Sequence, residues 1–463
     1  MNIAFVGGGS YRIIPILREA LAAGDFLHGS QFRLVDCATE RAEAVGRLLQ
    51  RTPEWGPAGC TVSWGNDLDR ALDGADVLYV TMAMHASPSY ELSAAASAGR
   101  GFISSDQISA TGAFLALHGA PIVLGFARRM ERLCPQALML IFANPVAVYS
   151  GLVNNHTRIQ ALGICGGFAN HRWDLTRLLG RDAYCDEYDV DVAGINHLSY
   201  ILRGRIRNAD LYTALDRHLT ADWRPPRLRI ANPVAAGHVR FALRKLVWMY
   251  RRFGTIIYST ELDGMAHLFY EDTYPRLMAG VRPLSAAGAQ AATAASAAAR
   301  RQADADFRRY VSTDLDRAFW SAPPAHAGWF TATQGDATTP ILKARAGRGP
   351  LKFAASFPNR GAVAGFKDRT VLEYSLLIDG MRIAPAGRYE IPDVLHGLIS
   401  DLATHQTLLG DAVAAADPRL VAQALLSYPI RQNSRAARAL YRELLAIHAE
   451  RIPAFCQGAA QYL

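Results

Sequence analysis

Short apolar runs alternate with segments of helical periodicity along the first part of the chain. The apolar runs have the length and character of strands buried on both faces of a sheet. They are Asn2–Val6, Phe32–Val35, Thr61–Trp64 and Val77–Thr81. Between them, apolar residues recur at helical spacing in Ile13–Ala23 and in a short piece at Asp67–Leu72. Strands that alternate with helices predict an α/β fold with a doubly wound parallel sheet.

The alternation continues to Gly194 and then weakens. Ala120–Leu133 has helical periodicity and ends before Pro135, and Ala137–Phe142 is a continuous apolar run suited to a buried parallel strand. The length of 463 residues exceeds that of a typical single domain. We therefore predict one domain over residues 1–194 and a second, mixed α+β domain over residues 195–463 that holds substrate and oligomer contacts.

The second half predicts longer elements with less alternation. Ala286–Ala299 is rich in alanine and predicts an uninterrupted helix, whereas Ala322–Gly349 is rich in Pro, Gly, Thr and Ala and predicts a long loop or lid. From Pro392 onward the pattern indicates two or three helices with apolar faces that pack back on the core.

The charge of the chain is moderately positive. Lys and Arg number 49 against 41 Asp and Glu, a formal net charge of +8, yet the arginines are scattered rather than clustered with aromatic residues. This pattern disfavours nucleic-acid binding. An anionic substrate or cofactor is a simpler explanation for the net positive charge.

Six cysteines are spread along the chain without pairs at CxxC spacing, which is typical of a reducing compartment. They are Cys37, Cys60, Cys134, Cys165, Cys185 and Cys456. The sequence has neither a leader-like start nor 18 consecutive apolar residues. We predict a cytoplasmic protein with no membrane segment.

A glycine-rich turn follows the first predicted strand and opens the first predicted helix. In this context Gly7 allows the tight turn, Gly9 lets the backbone approach a pyrophosphate, and Ser10 leads into the helix N-terminus, which favours negative charge. Arg12 stands where the usual fingerprint has its third glycine. The pattern predicts a Rossmann-like dinucleotide site over the first domain.

Two further residues complete the predicted cofactor site. Asp36 ends the second strand, where a carboxylate accepts hydrogen bonds from an adenosine ribose and repels a 2′-phosphate, so NAD is preferred over NADP. Thr81 ends the fourth strand at the same edge of the sheet. The alternative, a chance glycine turn in an α/β fold without a nucleotide, is disfavoured because strand, helix and terminal acid occur together.

Several motifs occur in an order found in one enzyme family. They are VGGGS (Val6–Ser10), NDLDRALDGADVLYVT (Asn66–Thr81), ANPVAVYSGLV (Ala143–Val153), LGICGG (Leu162–Gly167), GINHLSY (Gly194–Tyr200), FPNRGAV (Phe357–Val363), VLEY (Val371–Tyr374) and HQTLLGDAV (His405–Val413). Each is weak alone, but together they resemble glycoside hydrolase family 4, the NAD- and metal-dependent glycosidases, over essentially the whole chain.

The resemblance implies a divalent metal, such as Mn²⁺, held by Cys165 and His197. One thiolate and one imidazole suit a transition metal whose open positions are filled by sugar hydroxyls. Asn144 and Asn196 would orient the sugar. Without the resemblance, simpler explanations apply. Cys165 would be a buried core thiol, and His197 a histidine whose hydrogen bonds are all made within the protein. Asn144 and Asn196 would be turn or cap residues.

The mechanism that the family implies is a redox-assisted elimination. NAD takes the hydride from C3 of the sugar, and the metal polarises the resulting ketone, which acidifies the proton on C2. A base removes that proton and the C1 substituent leaves. Water then adds and NADH reduces the ketone, so the net reaction is hydrolysis.

The sequence departs from the family pattern after the metal cysteine and after the fourth strand. Gly166 stands where many members have Asp or Asn, and His171 is the candidate replacement, although a surface histidine is the commoner explanation. The stretch Met82–Ser89 replaces the Arg-Val-Gly-Gly-like stretch of the phospho-sugar members. This disfavours a 6-phosphoglycoside and favours unphosphorylated galactosides or uronides, unless a different loop recognises the same substrate.

The third departure concerns the general base. The tyrosine-rich run of the phospho-sugar members corresponds to Gly254–Tyr274, where Tyr258 is the first candidate, with Asp263 and Glu261 behind it. A tyrosine base requires a pKa lowered from about 10 by the metal and the cofactor. The alternative is a strand aromatic packed in the core.

The sequence therefore predicts an NAD- and Mn²⁺-dependent glycosidase that acts on a small-molecule glycoside. The alternative is an NAD-dependent sugar dehydrogenase or epimerase that has lost the elimination step, motivated by Gly166 and the missing tyrosine run. A third hypothesis is a non-catalytic nucleotide sensor, which the Cys165 and His197 pair disfavours. By the resemblance, the protein is expected to be a homodimer or homotetramer.

Overall fold

The computed structural model describes residues 1–82, 88–100, 102, 104–183, 185, 187–230, 233–259, 286–322, 337–429 and 434–463. Within these ranges the strands form one sheet in the order β10-β8-β7-β12-β11-β6-β5-β4-β1-β2-β3, with β13 beside β12 and β9 beside β8. The strands are β1 (Asn2–Val6), β2 (Gln31–Val35), β3 (Thr61–Gly65), β4 (Val77–Val80), β5 (Leu138–Ile141), β6 (Gln160–Gly163), β7 (Tyr188–Ile195), β8 (Leu198–Ile206), β9 (Ala209–Asp210), β10 (Ile256–Ser259), β11 (Leu351–Pro358), β12 (Val371–Asp379) and β13 (Arg382–Pro385).

Helices cover the sheet on both faces. The α-helices are α1 (Ile13–Ala22), α2 (Thr39–Leu49), α3 (Trp55–Ala58), α4 (Leu68–Leu72), α5 (Pro88–Ala98), α6 (Ala110–Leu133), α7 (Val146–His156), α8 (Gly166–Leu178), α9 (Leu211–His218), α10 (Pro233–Phe253), α11 (Ala286–Ser312), α12 (Arg317–Ser321), α13 (Thr338–Arg345), α14 (His396–Ala415), α15 (Pro418–Ser427) and α16 (Ser434–Ile447). Short 3₁₀ helices occupy Asp25–Leu27 and Ala454–Gln461.

The strands from β6 to β3 are parallel and form the N-terminal half of the sheet. Every residue of β4 and β5 is buried, which explains their unbroken apolar sequences. The strand order reverses between β1 and β4, and in sheets of this kind ligands bind at such a reversal, outside the carboxyl ends of the strands. The predicted α/β class with a Rossmann-like, doubly wound parallel sheet is confirmed.

The C-terminal strands extend the same sheet in antiparallel fashion. β11 joins β6 through Ser356 opposite Gly163, and β12 joins β7 through Glu373 opposite Gly194. The residue at which we predict the domain change thus lies within β7, and strands from both sides of it share one sheet. The division into residues 1–194 and 195–463 stays a prediction.

Three helices differ from the predicted bounds. α6 begins at Ala110, ten residues before its predicted start, because the side chain of Ser109 caps it by accepting the Gly112 N–H, and Pro121 lies inside it. α11 continues to Ser312 rather than Ala299. The predicted loop Ala322–Gly349 is wrong in part, since Thr338–Arg345 is helical; residues 323–336 lie outside the described ranges.

Among the described helices, α6 is long and apolar enough to cross a membrane. Its most apolar window is 67% buried within the fold, against α5, α7 and the C-terminal helices. This burial is typical of a core helix, and length and composition alone are weak evidence for a membrane span.

Candidate active site

The glycine-rich turn between β1 and α1 is fixed by two neighbouring strands. The N–H groups of Gly7 and Gly8 both donate to the Val35 carbonyl at the end of β2, at 3.1 and 2.9 Å. Gly7 has a φ of +81°, and a Cβ there would lie 2.8 Å from the Thr81 carbonyl oxygen after β4. A side chain at residue 7 would therefore be strained and would also fill the space where β1, β2 and β4 end.

Asp36 closes the turn from the end of β2. One carboxylate oxygen accepts the N–H of Gly9 at 2.9 Å, and the other accepts the N–H of Ala38 at 2.9 Å. Each carboxylate oxygen can accept more than one hydrogen bond, so these contacts orient the group and leave it able to accept from a ribose. The turn, the start of α1 and this acid fit a dinucleotide. We call Gly7, Gly9, Ser10, Asp36 and Thr81 the cofactor region.

Helix α11, from the second half of the chain, packs beside the cofactor region. The Arg41 guanidinium forms an ion pair with Asp304 at 2.9 Å, and the Tyr11 hydroxyl donates to the same carboxylate. The rings of Tyr11 and Phe307 stack with centroids 4.3 Å apart. Sequence reasoning missed this contact because Arg41 and Asp304 are 263 residues apart and neither belongs to a motif.

Cys165 and His197 lie together beside the carboxyl end of β6. Cys165 follows that strand, and His197 occupies the two-residue turn between β7 and β8, with a φ of +71°. The Cys165 Sγ and His197 Nε2 atoms are 3.4 Å apart. Donors bonded to one divalent ion at about 2.1 and 2.3 Å lie roughly 3.1–3.6 Å apart, so the pair fits a shared metal ion.

Protein groups fill only part of a metal coordination sphere here. Within the ranges that the structure describes, no cluster of three or more His, Cys, Asp or Glu side chains is placed to hold an ion. A metal held by Cys165 and His197 alone would have positions open for water or for substrate oxygens, as catalytic metal sites require.

Asn196 is buried next to the histidine and is held by an acid that the sequence analysis assigned no role. Its side-chain N–H donates to Glu373 on β12 at 2.8 Å, and its side-chain oxygen has no partner among the described residues. Burial raises the pKa of Glu373, against the lowering effects of Asn196, His197 and Ser199. VLEY was recognised as a motif, but only the β7–β12 pairing shows that its acid reaches the site.

Tyr258 and His171 stack on one another, and His171 lies within electrostatic reach of His197. Their ring centroids are 3.2 Å apart, and the Tyr258 hydroxyl donates to the His171 carbonyl at 3.1 Å. Burial raises the pKa of Tyr258, whereas burial and then the neighbouring His197 hold the pKa of His171 well below its ordinary value. A buried, hydrogen-bonded phenol does not favour proton abstraction by Tyr258. Asp263 and Glu261 lie outside the described residues.

Asn144 lies after β5, between two residues of the segment that precedes α6. Its side-chain N–H donates to Asp106 at 2.6 Å, and its side-chain oxygen accepts from Gln107. Asp106 and Gln107 were not predicted as site residues, since nothing in their local sequence distinguishes them from a polar loop. These two contacts fix the orientation of the Asn144 amide, and Asp106 is a further polar group there.

The structure brings most predicted site residues to the carboxyl edge of one sheet. We call Cys165, His171, Asn196, His197, Tyr258 and Glu373 the metal region. Its Cys165 follows β6, and its Asn196 and His197 form the turn between β7 and β8, while the cofactor region lies at the ends of β1, β2 and β4. A nucleotide-type turn and a metal-type pair on one edge are typical of an α/β enzyme that uses a nucleotide cofactor together with a metal ion.

Comparison with known proteins identifies the family. The model of the family 4 glycosyl hydrolases matches residues 2–180, and that of their C-terminal domain matches residues 192–430. The chain belongs to the family 4 glycosyl hydrolases, so the resemblance seen in the sequence and the prediction of a glycoside hydrolase are confirmed.

Relatives with similar sequences cover nearly the whole chain. An alpha-galactosidase from Bacillus subtilis is 21% identical over 98% of this chain and 99% of its own. An alpha-galacturonidase from Thermoanaerobacter italicus is 23% identical over 93% of this chain and 92% of its own. The fold is also that of a 6-phospho-alpha-glucosidase from gut microorganisms, solved with NAD and Mn²⁺, which has a TM-score of 0.77 at 17% identity and covers 98% of this chain and 99% of its own.

Proposed function

We propose that the protein hydrolyses a non-phosphorylated glycoside with the help of NAD and a divalent cation, by oxidation at C3, loss of the C2 proton and elimination at C1. The observation that carries the proposal is the 3.4 Å approach of Cys165 and His197 beside the cofactor region. Family membership and the NAD and Mn²⁺ bound in the gut 6-phospho-alpha-glucosidase support it.

NAD would be bound by the cofactor region, and the cation by the metal region. The Gly7 turn and the start of α1 would hold the pyrophosphate, and Asp36 would hold the adenosine ribose. Cys165 and His197 would hold the cation, and Asn196 and Asn144 would orient the sugar hydroxyls. When bound, NAD supplies a hydride acceptor and the cation a Lewis acid, which together make the C2 proton acidic.

The proton transfers at C2 and at the leaving group need a base and an acid. The candidates for base and acid are Tyr258, His171 and Asp263. Burial holds the pKa of His171 well below its ordinary value, so its imidazole is uncharged at pH 7 but only weakly basic. Tyr258 requires the charge of a bound cation to offset its burial.

Two of the three relatives described above support an unphosphorylated sugar, and the third is a 6-phospho-alpha-glucosidase. The alpha-galactosidase and the alpha-galacturonidase, by their names, act on sugars without phosphate. The replacement of the phospho-sugar stretch by Met82–Ser89 points the same way. A homodimeric or homotetrameric assembly and a cytoplasmic location remain predictions.

The test is aglycone release from a panel of aryl glycosides and aryl uronides, with and without NAD⁺ and Mn²⁺, while NADH absorbance is recorded. We expect release that needs both additions and leaves no lasting NADH, with exchange of the C2 proton into solvent. Release without NAD⁺ would overturn the proposal. NADH accumulation without release would instead favour a dehydrogenase or epimerase, the alternative that Gly166 motivates.

A further inference from the structure

A basic surface lies on α10 and on the segment that precedes it. Although the arginines are scattered over the sequence as a whole, residues 217–252 hold nine Lys and Arg against a single acid, Asp222. The formal charge of these residues is therefore +8, the same as that of the entire chain. A net charge of this size at one place attracts anions, and neither the cofactor region nor the metal region includes any of these residues.

This basic surface contains a cavity of about 390 Å³, a volume typical of small-molecule sites. α10 and the segment before it provide its walls. Two tryptophans and four arginines are among the lining residues, namely Trp223, Trp248, Arg224, Arg244, Arg251 and Arg252. The tryptophans are half-buried and the arginines are exposed. The cavity thus combines indole rings with guanidinium groups at the surface.

Both indole rings are held by contacts within the protein. Trp223 Nε1 donates to the carbonyl of Leu178, the last residue of α8, at 3.2 Å. The guanidinium carbon of Arg252 lies 3.8 Å from the centre of a Trp248 ring. Because these contacts already restrict the rings, a ligand that packs against them loses less free energy to side-chain ordering.

The arginines retain N–H groups for a ligand. Arg224 donates to the Trp223 carbonyl at 3.0 Å, and Arg251 donates to the Thr220 carbonyl, whereas each guanidinium has five N–H donors. Within the described ranges, none of the four arginines that line the cavity forms an ion pair with Asp or Glu. An anion in the cavity would therefore meet several guanidinium groups that no carboxylate neutralises.

The cavity is far from the metal pair and from the cofactor region. α8 ends at Leu178, which contacts Trp223, and it begins 13 residues earlier in the helix at Gly166, directly after Cys165. At 1.5 Å per residue the ends of this helix are about 18 Å apart. α10 leads into β10, at the opposite end of the sheet from β1, β2 and β3. A ligand in the cavity would therefore leave both regions accessible.

We propose that this cavity binds a nucleoside phosphate, whose base stacks on the indole rings while its phosphate accepts hydrogen bonds from the arginines. Stacking on aromatic side chains and Arg–phosphate hydrogen bonds are the two contacts by which proteins hold such molecules. An inorganic anion would leave the indoles unused, and an uncharged ring would leave the guanidinium groups unused. A peptide would need a longer groove, and a membrane would need apolar side chains that protrude. The site is additional to the NAD site and does not depend on the proposed function.

The experiment measures binding to the enzyme saturated with NAD⁺ and Mn²⁺. Calorimetry compares AMP, GMP, CMP and UMP with adenosine, which lacks the anion, and with sulfate, which lacks the base. We expect at least one nucleotide to bind about tenfold or more tightly than either adenosine or sulfate. Its Kd should not change when the NAD⁺ concentration is raised further.

Two sets of variants test the two kinds of contact. Arg224→Gln combined with Arg244→Gln should weaken nucleotide binding by about tenfold or more, whereas Arg382→Gln, at an exposed arginine on β13, is the matched control. Trp223→Ala should weaken binding by about tenfold, and Trp223→Phe should retain most of it, since phenylalanine keeps an aromatic face. Because the two arginines are exposed, their variant tests the site even if Trp223→Ala does not fold.

Three results would overturn the inference. One is a wild-type enzyme that binds no nucleotide more tightly than it binds adenosine or sulfate. The second is a nucleotide Kd that rises with NAD⁺ concentration and is equal in the wild type and the double arginine variant, which would assign the nucleotide to the cofactor region. The third is an oligothymidylate that binds at least tenfold more tightly than every mononucleotide and loses this affinity in the double variant, which would assign the surface to single-stranded nucleic acid.

Discussion

The cofactor region and the metal region share one edge of the sheet but are assembled differently along the chain. Gly9 and Asp36, which contact each other in the cofactor region, are 27 residues apart. In the metal region Cys165 and His197 are 32 residues apart, His171 and Tyr258 are 87 apart, and Asn196 and Glu373 are 177 apart. A local turn can form from its own sequence, whereas the metal region requires the antiparallel strands to be in place.

The largest expected effect comes from removing a metal donor. Cys165→Ala should lower aglycone release by about 100-fold or more and weaken Mn²⁺ binding by a similar factor, because even residues that only orient metal ligands cost 10- to 100-fold. The Kd for NAD⁺ should remain unchanged if the two regions are independent. His218→Ala, at an exposed histidine on α9, is the control. A Cys165→Ala enzyme with normal Mn²⁺ affinity would contradict the assignment.

Lowering the pH should lower the free energy of unfolding through a histidine on α14, a helix that packs against the metal region's strand β12. Burial lowers the pKa of His405 on α14 from 6.5 to about 4, and α14 packs against α7 and β12, the strand that carries Glu373. Because the unfolded chain binds the proton first, stability is full above pH 6.5 and falls as the pH drops toward 4, by up to about 3 kcal/mol. Chemical denaturation across this window measures the loss.

His405→Gln should flatten that pH dependence. Glutamine has an N–H that can still donate to the Ala424 carbonyl, the present partner of His405 Nδ1 at 2.6 Å, and it does not titrate. The exposed His218→Gln serves as the matched control. An unchanged slope in the His405 variant would assign the acid sensitivity to another group.

Comparing alanine substitutions at two glycines distinguishes the cost of backbone strain from the cost of steric conflict in the cofactor region. Gly7 and Gly59 both have positive φ, at +81° and +60°, but a Cβ at Gly59 would meet nothing within 4 Å. Gly59→Ala should therefore cost about 1 kcal/mol of stability, whereas Gly7→Ala should cost about 2 kcal/mol or more and weaken NAD⁺ binding. Equal losses in the two variants would show that the approach of Thr81 to Gly7 is unimportant. Mn²⁺ affinity should be normal in both.

The smallest expected effect tests the contact by which the second half of the chain reaches the cofactor region. Asp304→Asn removes a partly exposed ion pair with Arg41, which is typically worth less than about 1 kcal/mol. The Kd for NAD⁺ should change by no more than about fivefold, and less at high salt. A larger change would mean that α11 is a principal part of the cofactor region.

The same difference explains what could be predicted from the sequence. The strands β1 to β5 were recognisable because each is a short run of strand-forming residues next to its own turn, unbroken and apolar in β4 and β5, and the glycine turn with Asp36 is local as well. Cys165 and His197 were identified through their motifs. Glu373, Asp106 and Asp304 were not, because their roles depend on pairings between segments far apart in the chain. The start of α6 depended on a single cap, Ser109, within a serine-rich segment.

The junction of β6 with β11 makes the position of Cys165 depend on a residue without chemistry of its own. Ser356 opposite Gly163 is the pair at which these two strands meet, and Cys165 is two residues further on. A methyl group at residue 163 would lie 2.6 Å from the Val146 carbonyl oxygen and 3.0 Å from the Ser356 Cβ. Any substitution there would have to displace α7, β11 or the segment that carries Cys165. The distance between Cys165 and His197 therefore depends on the size of residue 163 as well as on the two side chains themselves.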